Sequence, residues 1–254
     1  MSEFCAVRFG RGMGFGNRLY PWARCHLFSL RDGVPMLAPR WWWPPRVTPL
    51  LQAPPPLREW PGHLYVHGIR PLPEYIDGVR RAWIMATSRR NIRFFHGEAG
   101  RFRDLAGAHN MLHDALRRMS TTAPVTRDQP YIAAHVRRGD FGAATADDLR
   151  SRGGLRTPTS WFIAAVRAIR DGVGRSIPVR VVSDGSAGEL KELLAEPDVE
   201  LVRTGAPLGD LLSLAHARVL LASGSSFSAW GCFLGGMPAA THPGQSLAWF
   251  GVQQ

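Results

Sequence analysis

The sequence predicts an α/β protein built on parallel sheets. From Tyr131 to Thr241, short β-branched runs alternate with stretches of helical period, polar turns follow the strands, and a glycine-rich strand-to-helix turn opens the chain. Such alternation implies parallel strands joined by right-handed crossovers. Ligands of such sheets bind outside the carboxyl ends of the strands, so the turns there are where chemistry is expected.

Taken in order, Cys5 to Phe9 reads as a strand, followed by the turn Gly10-Arg11-Gly12-Met13-Gly14-Phe15-Gly16-Asn17 and a helix from Arg18 through Ala23. Alternate glycines allow close backbone approach. No three of them fall at the G-x-G-x-x-G spacing, and no Gly-Lys-Ser/Thr follows, which argues against a dinucleotide fingerprint and a P-loop. Val34 to Leu37 is a candidate second strand. The run Trp41-Trp42-Trp43-Pro44-Pro45, with Pro49, Pro54-Pro55-Pro56 and Pro61, cannot be regular helix or central strand. Its tryptophans suit a core plug slightly better than a sugar-lined cleft. His63 to Ile69 reads as a strand and Pro73 to Met85 as a helix that starts at a proline. His109 and His113 have metal-ligand spacing, but Asn110 stands where a zinc protease needs Glu and no third ligand is evident, so no metal is expected. The polar run Thr121 to Gln129, with Pro124, divides the chain into domains over 1–125 and 126–254.

The second half is cleaner. Strand Tyr131–Val136 runs into Arg137-Arg138-Gly139-Asp140. A helix then opens with Thr157 as cap and Pro158 at its first position, presenting Trp161, Phe162, Ala165, Val166 and Ile169 on one face. Next come strand Val179–Val182, turn Ser183-Asp184-Gly185, a helix from Ser186 to Ala195, and strand Val199–Val202. A helix from Asp210 to His216 leads to strand Arg218–Ala222. The turn Ser223-Gly224-Ser225-Ser226-Phe227 opens a helix through Phe233, and Met237 to Thr241 is a last strand.

With 254 residues the chain can bury one large core or two smaller ones. A net charge of +11 invites a nucleic-acid reading, but Lys191 is the only lysine among 31 basic residues and the arginines are scattered. That pattern looks like codon bias, and no nucleic-acid partner is expected. Cys5, Cys25 and Cys232 are too few for a disulfide framework, which fits a reducing compartment. No apolar leader opens the sequence, so a cytoplasmic protein is expected. From Val219 to Gln254 there is no Asp, Glu, Lys or Arg, but serines, glycines and Pro238 break the run, so core plus a neutral ligand loop fits better than a membrane span. A basic chain of this kind can also dock peripherally on anionic inner leaflets, although no amphipathic anchor stands out.

Three turns follow strands of one expected sheet: His135 to Asp140, Ser183-Asp184-Gly185, and Ser223 to Phe227. Two arginines, several hydroxyls and a helix N-terminus form a diphosphate cradle without metal. An acidic residue in a neighbouring turn suits ribose hydroxyls or a guanine edge. The residues thus suggest a nucleotide-sugar site.

His135-Val136-Arg137-Arg138-Gly139-Asp140 resembles the H-x-R-R-x-D motif of the α-1,2-fucosyltransferase family, shared with the α-1,6 enzymes. Gly14-Phe15-Gly16-Asn17-Arg18-Leu19-Tyr20 resembles that family's N-terminal G-x-G-N-Q-M/L-F segment. Leu64 to Gly68 with Tyr75-Ile76 resembles its strand-then-helix block, and Asp210-Leu211-Leu212-Ser213 with Ser225 to Trp230 resembles its final signature. The resemblance implies a GT-B-like architecture of two Rossmann-like domains, with an acceptor-side N-terminal domain and a C-terminal domain that holds GDP-fucose. It implies inverting, metal-independent transfer of fucose to a glycan or glycolipid hydroxyl, typically the galactose 2-position, with no cofactor. By motif position, Arg137 would contact the β-phosphate and offset leaving-group charge, and Asp140 would accompany it. His135 and Asp184 would lie towards the guanosine, and Ser225, Ser226 and Phe227 around the phosphates or fucose. Gly14, Gly16, Asn17, Arg138 and Ser183 complete the expected donor site, with Arg138 and Asp140 as a structural pair. Arg18 replaces the family's Gln, Gly185 a second acidic residue, and Ala229 one of two tryptophans. The general base is open among Asp140, Asp147, Asp148 and His67. The alternatives are a transferase for another nucleotide sugar, an idle relative, or a basic nucleic-acid-binding protein.

Overall fold

The computed structural model describes residues 3–10, 12–41, 68–125, 129–142 and 154–252. The expected tryptophan–proline loop from Trp42, the strand from His63 through His67, and Asp147 and Asp148 lie outside the described residues. The chain divides into two compact units. The first holds 1–108 with 114–121, and the second holds 109–113 with 122–254.

In the first unit, β1 (Phe4–Val7) pairs in parallel with β2 (Ile92–Phe95). Helix α1 (Phe15–Asp32) runs much further than the glycine turn suggested, through Pro21 to Gly33 in the left-handed region. Met36 and Leu37 form only isolated bridges to Cys5 and Ile76, so the expected second strand is reduced to a connector. Helix α2 (Gly78–Thr87) starts five residues later than Pro73. The reason is that Ile76 uses its backbone elsewhere: its N–H donates to Met36 and its carbonyl accepts from Ala38. Ala6, Leu37, Ile76, Ile84 and Ile92 form the core beneath. Helix α3 spans His109–Met119.

The second unit carries five parallel strands: β3 (Ile132–Val136), β4 (Val179–Ser183), β5 (Val199–Val202), β6 (Val219–Ala222) and β7 (Ala239–Thr241). Their order across the sheet is β5-β4-β3-β6-β7, the Rossmann-like order 3-2-1-4-5. Ile132, Ala134 and Val136 face the same side as Val179, Val181 and Leu221. There they pack on Phe162 and Val166 of α4 (Thr159–Val173) and on Leu190 and Leu193. Helices α6 (Pro207–Ala215) and α7 (Ser226–Gly235) pack on each other, α6 against β3 and α7 against β6.

Two local expectations are corrected. The helix expected from Ser186 to Ala195 shrinks to α5 (Lys191–Leu194), because Leu190 and Lys191 donate to carbonyls three residues back and Gly188 interrupts the run. Thr157 does not cap α4; Pro158 stands at the cap position, without a side-chain hydrogen bond, and the helix begins at Thr159.

Candidate active site

Strand order places the site. Passing from β3 to β4 and β5, the chain moves one way across the sheet; β6 then returns to the other flank of β3. In parallel α/β sheets ligands bind at such a reversal, here outside the carboxyl ends of β3 and β6. The turns after those two strands are Arg137–Asp140 and Ser223–Ser225, and β4 ends at Ser183 and turns through Asp184 and Gly185. All strands run parallel, so the three expected turns share one edge.

Short hydrogen bonds knit them. Ser223 Oγ accepts the Arg137 N–H (3.0 Å) and donates to the His135 carbonyl (2.9 Å). Ser183 Oγ donates to the Val136 carbonyl (2.5 Å) and accepts the Gly185 N–H (3.0 Å). Ser225 caps α7 by accepting the Ser228 N–H at 3.2 Å. Ser226 and Phe227 form the first turn of that helix. The His135 ring is buried, stacks on Phe227 at 4.9 Å, and its Nδ1 lies 2.6 Å from Ser228 Oγ. Burial, with Arg137 nearby, pushes its pKa down to about 3, so the imidazole is neutral. It supports the helix start from below.

The two arginines take opposite parts. Arg138 is buried, with its guanidinium donating to the Thr157 carbonyl (2.7 Å) and to Thr159 Oγ1 (2.5 Å). Arg137 keeps a quarter of its side chain exposed and sits between two carboxylates, Asp140 and Asp184, each at 2.5 Å. Asp140 thus pairs with Arg137 and not, as expected, with Arg138, whose side chain turns inwards. Asp184 also accepts the Arg138 N–H at 2.7 Å, so it braces the loop as well as the cation. The glycines follow from this geometry. A Cβ on Gly139 would collide with the Asp184 carboxylate, and one on Gly185 would lie 2.8 Å from Arg138 Cγ. The departure at Gly185 therefore makes room for an arginine.

Sequence reasoning passed over Gln245 and misread Thr157. Gln245 Oε1 accepts from Thr157 Oγ1 (2.6 Å) and the Gly224 N–H (3.3 Å), while Nε2 donates to the Leu155 carbonyl (3.0 Å). The signal was available: Gln245 lies in the polar turn after β7, at the same sheet edge. Arg156 adds a third cation, donating to the Phe141 carbonyl at 2.8 Å.

Gly14, Gly16 and Asn17 belong to the first unit, where Gly14 is the uncapped N-terminus of α1. Arg18 is buried there; its Nε donates to the Met13 carbonyl (2.8 Å) and a terminal nitrogen to the Trp41 carbonyl. The His109 ring rests on Phe233 and that of His113 on His216. Among the described residues no group of three or more His, Cys, Asp or Glu could hold a metal ion.

No family model and no curated protein matches the sequence. Solved structures similar to this chain include POFUT1 in complex with GDP (12% identity, TM-score 0.49, 95% of this chain and 99% of that one). POFUT1 in complex with GDP-fucose gives 12% identity and a TM-score of 0.48 over 96% of this chain and 98% of that one. NodZ alpha-1,6-fucosyltransferase soaked with GDP-fucose gives 16% and 0.45 over 92% and 93%.

Proposed function

We propose that the chain is a GT-B-like glycosyltransferase that moves fucose from GDP-fucose to a glycan hydroxyl, the galactose 2-position, with inversion and without metal. The observation that carries the reading is the partly exposed Arg137 at the sheet reversal, its backbone N–H held by Ser223 in the turn that leads into the capped start of α7. A pyrophosphate there meets a guanidinium fork on one side and a positive helix end on the other. The H-x-R-R-x-D resemblance supplies the choice of guanosine and fucose.

Chemically, the acceptor hydroxyl oxygen bonds to the sugar's anomeric carbon and gives up its proton to a base, while the bond from that carbon to the β-phosphate oxygen breaks and negative charge grows on GDP. Arg137 stabilises that charge. Its pairs with Asp140 and Asp184 are partly exposed, so they cost little to exchange for a phosphate contact. The buried Arg138 fixes the loop, and the neutral Ser223, Ser225 and Ser228 hydroxyls orient it without adding negative charge at the phosphates.

Arg137→Ala is expected to keep the fold and lower transfer from GDP-fucose by about 10²–10³-fold; wild-type transfer by that variant overturns the role. Thermal shift with GDP-, UDP- and dTDP-sugars tests the base: stabilisation by UDP or dTDP derivatives alone would move the reading to another donor.

A further inference from the structure

Helix α2 is inverted relative to an ordinary surface helix. Its period predicts a helix with an inward apolar face, yet only Ile84 is buried, with Met85 packed beside it. The residues on the opposite side are Val79, Ala82, Trp83 and Ala86, all exposed, with Val79 at 86% and Trp83 at 63%. At 100° per residue these four fall within a single stripe. Beside it stand the exposed Arg80 and, just beyond the helix, Arg90. From Gly78 to Phe95 the sequence has five arginines and no acidic residue, and Asp77 is the nearest carboxylate in sequence. An outward row of valine, alanines and an indole has no work to do in water.

We propose that this stripe is a docking surface for an anionic lipid membrane. An indole and short aliphatic side chains settle into the headgroup–acyl boundary, while flanking guanidiniums meet lipid phosphates. The apolar row distinguishes this from a nucleic-acid surface, where aliphatic groups gain nothing against a phosphate backbone. Among the described residues no helix is long and apolar enough to cross a membrane, so contact here is by a face lying on the surface. An enzyme so placed would meet lipid-linked sugar acceptors in two dimensions.

The test is co-sedimentation of the full chain with vesicles of phosphatidylcholine alone or mixed with phosphatidylglycerol. Binding to the anionic vesicles is expected, weakening at high salt. Val79→Ser with Trp83→Ser should lower the partition coefficient roughly tenfold, and Arg80→Glu should lower binding to anionic vesicles only. A second readout uses Ala86→Cys carrying an environment-sensitive dye, since Cys5, Cys25 and Cys232 are all buried; vesicles should shift its emission to the blue. No sedimentation with anionic vesicles, an unshifted dye, or a double-serine variant that binds like wild type would each overturn the proposal. So would retention on duplex DNA without vesicle binding.

Discussion

Each unit turns a strand into a helix at a glycine-bearing bend, and the two bends are held by different means. In the first, α1 begins at Gly14 with no side-chain cap, and a buried charge, Arg18, reaches back to the Met13 and Trp41 carbonyls. In the second, α7 begins at Ser225, and the bend is held by neutral groups: Ser223, Ser225, Gly224 and Gln245. One bend hangs on a single cation, the other on a lattice of small dipoles. A lattice spreads the loss when any member goes. It also adds no charge of its own beside the partly exposed Arg137.

Acid should break both units and so give the largest effect. His26 is buried in the first unit, sharing a hydrogen bond with Tyr75 at 2.9 Å, and burial pushes its pKa down to about 4. His135 in the second is pushed down to about 3. Both folded values lie below the ordinary 6.5 of an unfolded chain, so each contributes stability present above pH 6.5 and lost as pH falls towards 4 and 3. Urea melts from pH 7.5 to 4.5 should show about 1.4 kcal/mol lost per pH unit per imidazole below that point. His26→Gln and His135→Gln should each flatten the profile; a flat wild-type curve would deny that the two rings are held neutral.

Next in size is Arg18→Ala, with about 3 kcal/mol of destabilisation in the same melts, since the carbonyls it serves lose a charged donor. Ser223→Ala should cost about 2 kcal/mol, because two buried backbone groups lose a partner. Equal costs would remove the contrast between tether and lattice. Smallest is Ser225→Asp, expected to keep stability within about 0.5 kcal/mol since Asp is also a good cap, while weakening GDP binding in a calorimetric titration by placing an anion at the helix start. If GDP affinity holds, the phosphates do not sit there.

The five strands of the second unit were legible because they are short apolar, largely β-branched runs bounded by polar turns. Their shared edge followed from parallel pairing alone. What stayed hidden depended on partners far along the chain. Thr157 has the look of a cap, but its hydroxyl is taken by Gln245, 88 residues away. Asp140 is close in sequence to both arginines; only the inward turn of Arg138 towards Thr157 and Thr159 decides which one it pairs with. Strand β2 is four residues with Arg93 inside it, and only its pairing with β1 makes it a strand. The outward stripe on α2 was not legible, because periodicity reports an apolar face without saying which way it points.

Gln245 has a practical consequence. It fastens the last polar turn to Gly224, Thr157 and Leu155. Trimming the chain ahead of it would unhook the bend that carries Ser225, whereas a fusion attached after Val252 would leave that latch closed.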